Sequence, residues 1–358
     1  MAGHHAIEAT PVNRPHGRYT QDVLYAATRP GGGLSGTGIT MVWLLRALLT
    51  VTLAWPVLGH TAFAEDSEPD VTDEDIEEID AAAADQSAAS PYEIAREKGV
   101  KAWTTPPGAK ATPEEIDDHV LYVLGNVTNT MFHEFAHGLV SELELPVLGK
   151  EEDAVDAFAN VVMVNHDDDP ALDAMMVAVA DDYFTAGQYE DGNSADMQMD
   201  EHSMSAQRAF SVICILVGAD PEKFKQAADN AGMSPERQAS CSADYEQAAG
   251  AWDKMLSDHY VKDGEKSTSK ITVVYGKPAK GQEAIAKLVK ESGIVEAVSE
   301  QMIGLIKFPN PIKVKVEACD DDNAFWSPED RSVTLCYELA QGYLNNSLGI
   351  EPDDSGEE

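Results

Sequence analysis

Residues 131–156 read MFHEFAHGLVSELELPVLGKEEDAVD, with two histidines four positions apart and a glutamate between them. Positions i and i+4 share one face of an α-helix, so His133 and His137 can bind one metal ion together. Glu134 lies one position further round, where it can reach a water molecule instead of the metal. These are the groups that zinc-dependent hydrolysis requires. The five-residue HExxH pattern alone is equally typical of a helix with two surface histidines.

A third metal ligand is predicted in the helix that follows the Leu-Pro and Gly break at residues 145–149. Glu152 begins this helix, and Asp156 lies four residues later on the same face. We expect Glu152 to complete a His₂Glu zinc site, with Asp156 accepting the free ring N–H of a ligand histidine. Glu151 is the alternative ligand. Independently of any metal, the helix dipole stabilises acidic side chains at a helix N-terminus, which is the other explanation for this acidic pair.

The rest of the pattern predicts an α+β fold that is mainly α-helical. The HExxH motif lies in an amphipathic helix that begins after Thr112, where Pro113, Glu114 and Glu115 are typical of a helix start. ITVVYGKP, PIKVKVEAC and SVTLCYEL are typical of strands, so we expect a small antiparallel β element near the C-terminus. Further helices are predicted at about 151–164, 172–188, 204–217, 235–256 and 281–306.

The chain is strongly acidic: its 358 residues include 63 acidic and 25 basic side chains, a formal net charge of −38. The electrostatic field of this negative charge repels nucleic acid phosphates and anionic membranes, so we exclude nucleic acid as a partner. The folded domain is expected at 91–348. Residues 1–40 form a polar extension, 65–90 an acidic linker expected to be disordered, and 349–358 an acidic tail.

Residues 41–64 have the order of a secretory signal peptide, with an early arginine, an apolar run at 47–58 and Ala62-Phe63-Ala64 at the end. This predicts a periplasmic or secreted protein that is cleaved near Ala64, and residues 1–40 would then be a start-site artefact ahead of Met41. The apolar run is too short for an ordinary transmembrane helix. An uncleaved signal anchor is the alternative, and only then would the protein contact a membrane.

Four cysteines and no CxxC sequence are present. Three pairings are possible, and local pairing of Cys214 with Cys241 and of Cys319 with Cys336 fits an oxidising compartment. Four buried free thiols are the alternative.

The stretch HEFAHGLVSELELPVLGKEEDAVDAFA resembles a family of secreted bacterial proteins regarded as metallopeptidases (domain of unknown function 4344). Residues 200–221, 235–256 and 319–339 are similar to it as well, so the resemblance covers most of 110–345. It implies a zincin-like, gluzincin-type core and peptide or protein substrates. It also implies a Zn²⁺ site with His133, His137 and Glu152 as ligands and Glu134 as general base.

The resemblance also gives a role to Asn323, Ala324 and Phe325. In short gluzincins a hairpin with this Asn-Ala-Phe sequence borders the cleft, and an extended substrate adds to its edge strand. That hairpin is expected to precede the HExxH helix in the family and in other short gluzincins, whereas here it lies near the C-terminus. The permuted order requires residues 91–115 and 340–350 to lie close together. A disulfide-bonded hairpin with only a packing role is the alternative.

Two further polar residues are candidates for the site. His202 is a possible catalytic residue that donates a hydrogen bond to the tetrahedral oxyanion, or else a helix cap. Arg208 is expected to form a buried ion pair with Asp200 or Glu201. Together these features predict an exported zinc metalloendopeptidase. A non-catalytic, zinc-stabilised binding module of the cell envelope and a metal-free helical interaction protein are the alternatives.

Overall fold

The computed structural model describes residues 89–105, 110–164 and 169–350. The predicted polar extension at 1–40, the signal peptide at 41–64 and all but the end of the acidic linker lie outside these ranges. So does the acidic tail from residue 351 onwards.

Helices make up most of the described residues, which confirms the mainly helical α+β class. None of them is long and apolar enough to cross a membrane. Their bounds are α1 Pro91–Ala102, α2 Pro113–Leu143, α3 Glu151–Val164, α4 Pro170–Ala186, α5 Ala195–Met199, α6 Ser205–Ala219, α7 Lys225–Asn230, α8 Pro235–Leu256, α9 Glu283–Ser292, α10 Ile294–Leu305 and α11 Tyr337–Ser347.

The 31-residue helix α2 is the centre of the fold. It begins where the sequence predicts, and its first turn has a capping box: the Thr112 side chain accepts the N–H of Glu115, and the Glu115 carboxylate accepts the N–H of Thr112. Glu144 caps the helix: its own N–H bonds the carbonyl of Val140, and its left-handed φ of 51° lets the next N–H, that of Leu145, bond the same carbonyl. Between these ends α2 is buried on nearly every face, as expected for a core helix.

Helix α4 packs on α2 at a point where only glycine fits. A Cβ atom on Gly125 would lie 2.6 Å from the carbonyl oxygen of Met175 and 2.8 Å from its Cα. Both atoms belong to the backbone of α4, so neither can move aside. The close approach fixes α2 against the helix behind it and so helps to position the HExxH segment.

The β element is a mixed sheet, which corrects the antiparallel arrangement expected from the sequence. Its four strands are β1 Ile271–Tyr275, β2 Ile312–Glu317, β3 Ala324–Ser327 and β4 Ser332–Cys336, in the order β1-β2-β4-β3. β1 pairs with β2 and β2 with β4 in parallel, and only β3 and β4 are antiparallel. Alternation with period two is the same for both pairings, and helices α9 and α10 supply the crossover from β1 to β2.

Two disulfides connect these elements in the predicted pairs. Cys214 bonds to Cys241 between α6 and α8, and Cys319 bonds to Cys336 across the base of the β3–β4 hairpin. Disulfides persist in oxidising compartments, so both suggest such an environment.

The N-terminal segment of the described chain meets its C-terminal helix. The Trp103 ring stacks on His119 with centroids 5.6 Å apart, and His119 hydrogen-bonds the backbone of Ser347. Trp103 and Ser347 thus both contact His119 of α2.

Candidate metal centre

Helices α2 and α3 bring the two motif histidines together with Glu152. The Nε2 atom of His133 lies 3.1 Å from Oε2 of Glu152, and Nε2 of His137 lies 3.4 Å from Oε1. The two Nε2 atoms are themselves 3.2 Å apart. The i, i+4 spacing on α2 and the position of Glu152 at the start of α3 produce this convergence.

A carboxylate binds the other ring nitrogen of each motif histidine. Nδ1 of His133 lies 2.8 Å from Oδ1 of Asp156, and Nδ1 of His137 lies 2.8 Å from Oε1 of Glu151. Asp156 thus occupies the orienting position that the sequence predicts for it. Glu151, the alternative ligand, is bonded to His137 instead. Because a carboxylate accepts the Nδ1 proton, each Nε2 atom is left to face Glu152 with its lone pair.

The donor set fits a zinc ion. Oε2 of Glu152 is buried and accepts no well-directed hydrogen bond from the described part of the chain, although a histidine nitrogen lies close to it. Facing lone pairs repel one another unless a positive charge lies between them. The proximity of His133, His137 and His202 holds the pKa of Glu152 well below its usual range. Two imidazoles and a carboxylate are the ligands of many catalytic zinc sites.

Glu134 lies beside this centre and is only 6% exposed. Burial raises the pKa of its carboxyl group, while the neighbouring histidines and the backbone N–H of Trp326 act in the opposite direction. The side chain lines a cleft of about 340 Å³ together with both motif histidines and Glu152. A carboxylate in this position can accept a proton inside the cleft.

Strand β3 forms the opposite wall of the cleft. Asn323, Ala324, Phe325 and Trp326 all line it, and β3 is the last strand in the order of the described sheet. Phe325 is 42% exposed. A Cβ atom on Gly138 would come within 3.1 Å of the Trp326 ring, so the glycine allows α2 to lie directly against this strand. The structure therefore places the predicted hairpin beside the motif despite its late position in the chain.

His202 reaches the centre from the loop between α5 and α6. Its Nε2 atom lies 3.0 Å from Oε2 of Glu152, and its Nδ1 atom lies 3.3 Å from Oδ1 of Asp200. Lys150 donates hydrogen bonds to the carbonyl oxygens of Asp200 and His202, at 3.2 and 3.1 Å. The loop is thereby attached to the start of α3. His202 does not cap α6, because Met204 occupies the N-cap position.

Arg208 pairs with Asp156, which corrects the expectation of Asp200 or Glu201. Nε of Arg208 lies 2.7 Å from Oδ2 of Asp156, and Nη2 lies 2.7 Å from Oδ1. Arg208 extends from the first turn of α6 towards α3, whereas the two expected partners lie in the preceding loop. With His133 and Arg208 both bonded to it, Asp156 has a pKa of about 2, although burial alone would raise it.

Comparison with known proteins gives one match. Residues 93–256 and 275–354 match the sequence profile of the domain-of-unknown-function family 4344, which is described as "Putative metallopeptidase". No curated protein and no solved structure matches the chain at a significant level.

Proposed function

The chain belongs to this metallopeptidase family, and on that premise we propose that it is a zinc-dependent metalloendopeptidase. The convergence of His133, His137 and Glu152 on one buried point supports the proposal most directly. In particular, no well-directed hydrogen bond from the described residues reaches the buried Oε2 atom of Glu152, and a metal ion between it and the histidines would satisfy this oxygen.

His133, His137 and Glu152 would hold the zinc ion, and Asp156 and Glu151 would orient the two imidazoles. When bound there, zinc would polarise a peptide carbonyl and lower the pKa of a water molecule. Glu134 would accept a proton from the attacking water and return it to the leaving amine. His202 would donate a hydrogen bond to the oxyanion that forms.

The substrate is proposed to be an extended peptide that adds to the outer edge of β3. Asn323, Ala324 and Phe325 line the cleft on this side, and backbone groups of an edge strand can pair with a peptide of any sequence. The large negative charge of the protein favours the approach of basic or neutral peptides over acidic ones.

Export is proposed from the signal-like order of residues 41–64, with cleavage near Ala64. The two disulfides support an oxidising destination, either the periplasm or the medium. Protein sequencing of the mature form should give an N-terminus near Glu65; an intact residue 41–64 segment would instead support a membrane anchor.

The decisive experiment compares wild type with Glu134→Gln for zinc content and for hydrolysis of a broad peptide library. We expect both proteins to hold one zinc ion and only wild type to cleave peptides. Glu114→Gln, an exposed change in the first turn of the same helix, should behave like wild type. If wild type holds zinc and cleaves nothing, the protein is a zinc-stabilised binding module instead.

A further inference from the structure

We infer that His202 is a fourth protein ligand of the metal while no substrate is bound, and that it leaves the metal when a peptide enters. This inference rests on the zinc site of the proposed function. It assigns a residue that the HExxH and Glu152 pattern does not include. With His202 bound, side chains would occupy all four positions of a tetrahedral zinc ion whenever no substrate is present.

The first argument is that His202 has the same arrangement as the two motif histidines. Each of the three imidazoles has Nδ1 beside a carboxylate, which belongs to Asp156, Glu151 and Asp200 respectively. Each also has Nε2 within 3.4 Å of an oxygen of Glu152. A histidine that ligates a metal almost always donates its other ring N–H in this way.

The second argument is distance. The ligand atoms of His133, Glu152 and His202 form one group within 4.8 Å of one another; His137 is not part of that group and approaches the other oxygen of Glu152 at 3.4 Å. Zinc bonds of about 2.1 Å place tetrahedral ligand atoms roughly 3.4 Å apart. A pure oxyanion donor would stand further out, because the oxyanion lies between it and the metal. At 3.0 Å from Oε2 of Glu152, the Nε2 atom of His202 is at ligand distance.

The third argument is that His202 is more exposed than the other two histidines and can therefore leave the metal more easily. Its side chain is 46% exposed, against 8% for His133 and 18% for His137. It lies on a loop whose attachments, Lys150 and the bond from Ser203 to Asp153, are exposed hydrogen bonds. Four protein ligands leave no position for water on a tetrahedral zinc ion. Hydrolysis would therefore require His202 to leave, and its Nε2 atom would have to take up a proton from solvent, with Nδ1 still bonded to Asp200, before it could donate to the oxyanion.

The test is proton NMR of the full chain with Co²⁺ in place of zinc, recorded in ordinary water. Cobalt shifts the ring N–H signals of bound histidines far from all others, and those signals vanish in D₂O. We expect three such signals for wild type, two for His202→Gln and three for His259→Gln, a control that removes a histidine from the turn after α8. Two signals in wild type, unchanged in His202→Gln, would overturn the inference.

A second readout is zinc affinity, measured by competition with a chelator. His202→Gln should bind zinc roughly tenfold more weakly than wild type, and His259→Gln should bind it equally well. Equal affinity in all three proteins would count against a fourth ligand. Three cobalt-shifted signals without any peptide hydrolysis would uphold the inference and overturn the proposed peptidase. Failure to bind cobalt at all would overturn both.

Discussion

Arg208 binds both carboxylate oxygens of Asp156 through two 2.7 Å hydrogen bonds, and the same carboxylate accepts Nδ1 of His133 at 2.8 Å. The arginine lies over the ring of Tyr183, 4.3 Å from its centroid, and is itself largely buried. The orientation of one proposed zinc ligand thus depends on a residue that does not touch the metal centre. A planar guanidinium suits this two-point contact, and lysine cannot reproduce it.

Replacement of Arg208 should weaken both the fold and the metal site. Arg208→Met leaves the Asp156 charge buried without its partner, so we expect a loss of about 3–5 kcal/mol in the free energy of unfolding. We expect zinc affinity to fall roughly 10- to 100-fold, because His133 loses its fixed orientation. Denaturant titration and chelator competition measure the two effects.

Arg237→Met is the matched control, since Arg237 and its partner Asp244 are both about half exposed. It should cost at most about 1 kcal/mol. A variant Arg208→Met that binds zinc like wild type would show that Asp156 holds His133 without help.

Removal of the metal should destabilise the protein through Glu152. A ligand present at 100 times its Kd contributes about 2.7 kcal/mol, so addition of a chelator should lower the Tm of the zinc-loaded wild type. Glu152→Ala lacks the central ligand, and its Tm should not respond to the chelator. A chelator response of equal size in both proteins would place the stabilising metal elsewhere.

Two glycine-to-alanine changes should have opposite effects on stability. At Gly125 the new methyl group meets the Met175 backbone at 2.6 Å, and we expect a cost of about 1–3 kcal/mol. At Gly342, in α11, a Cβ meets nothing within 4 Å, and alanine should stabilise the helix by about 0.5–1 kcal/mol. Thermal unfolding of both variants measures the contrast. A stabilising Gly125→Ala would mean that α2 and α4 can separate freely.

Asp181 should make stability depend on pH. Burial and the neighbouring Asp182 raise the pKa of Asp181 to about 7, from an ordinary value near 4. The folded state therefore keeps a proton that the unfolded state loses, so stability declines as the pH rises from about 4 to about 7. Each pKa unit corresponds to about 1.4 kcal/mol, which limits the effect to about 4 kcal/mol.

Asp181→Asn should reduce this decline, and the part that comes from Asp182, whose pKa burial also raises, should remain. We expect it to be more stable than wild type at pH 8 and similar to wild type at pH 4. Asp258→Asn, at an exposed position, should follow the wild-type profile. Denaturant titrations across this range give the comparison, and parallel profiles for Asp181→Asn and wild type would contradict the prediction.

Local patterns were enough to predict which side chains of α2 and α3 lie close together. Thr112 and Glu115 define the start of α2 within four residues of sequence, and the spacing of His133, His137 and Glu152 brings them to one point. Asp156 could be given its orienting role because it lies four residues from Glu152 on the same helix face. Each of these features depends on neighbours along one helix or across one short loop.

The features that local patterns missed depend on distant contacts. Arg208 is 52 residues from Asp156, and nothing near it in the sequence favours that carboxylate over Asp200. The approach of His202 to Glu152 depends on Lys150, which belongs to another loop. The parallel pairing of β2 with β4 could not be predicted either, because side chains alternate with period two in parallel and antiparallel strands alike.

Trp103 and Ser347 both contact His119, which bears on how the gene could be rearranged. A chain whose ends lie together can be joined there and opened elsewhere with little loss of structure. The exposed segment at 262–268, between α8 and β1, is one place to open it. A gene cut at that segment and rejoined between residues 350 and 91 would encode the hairpin before the HExxH helix. Two orders of the same parts would then be alternative readings of one three-dimensional arrangement.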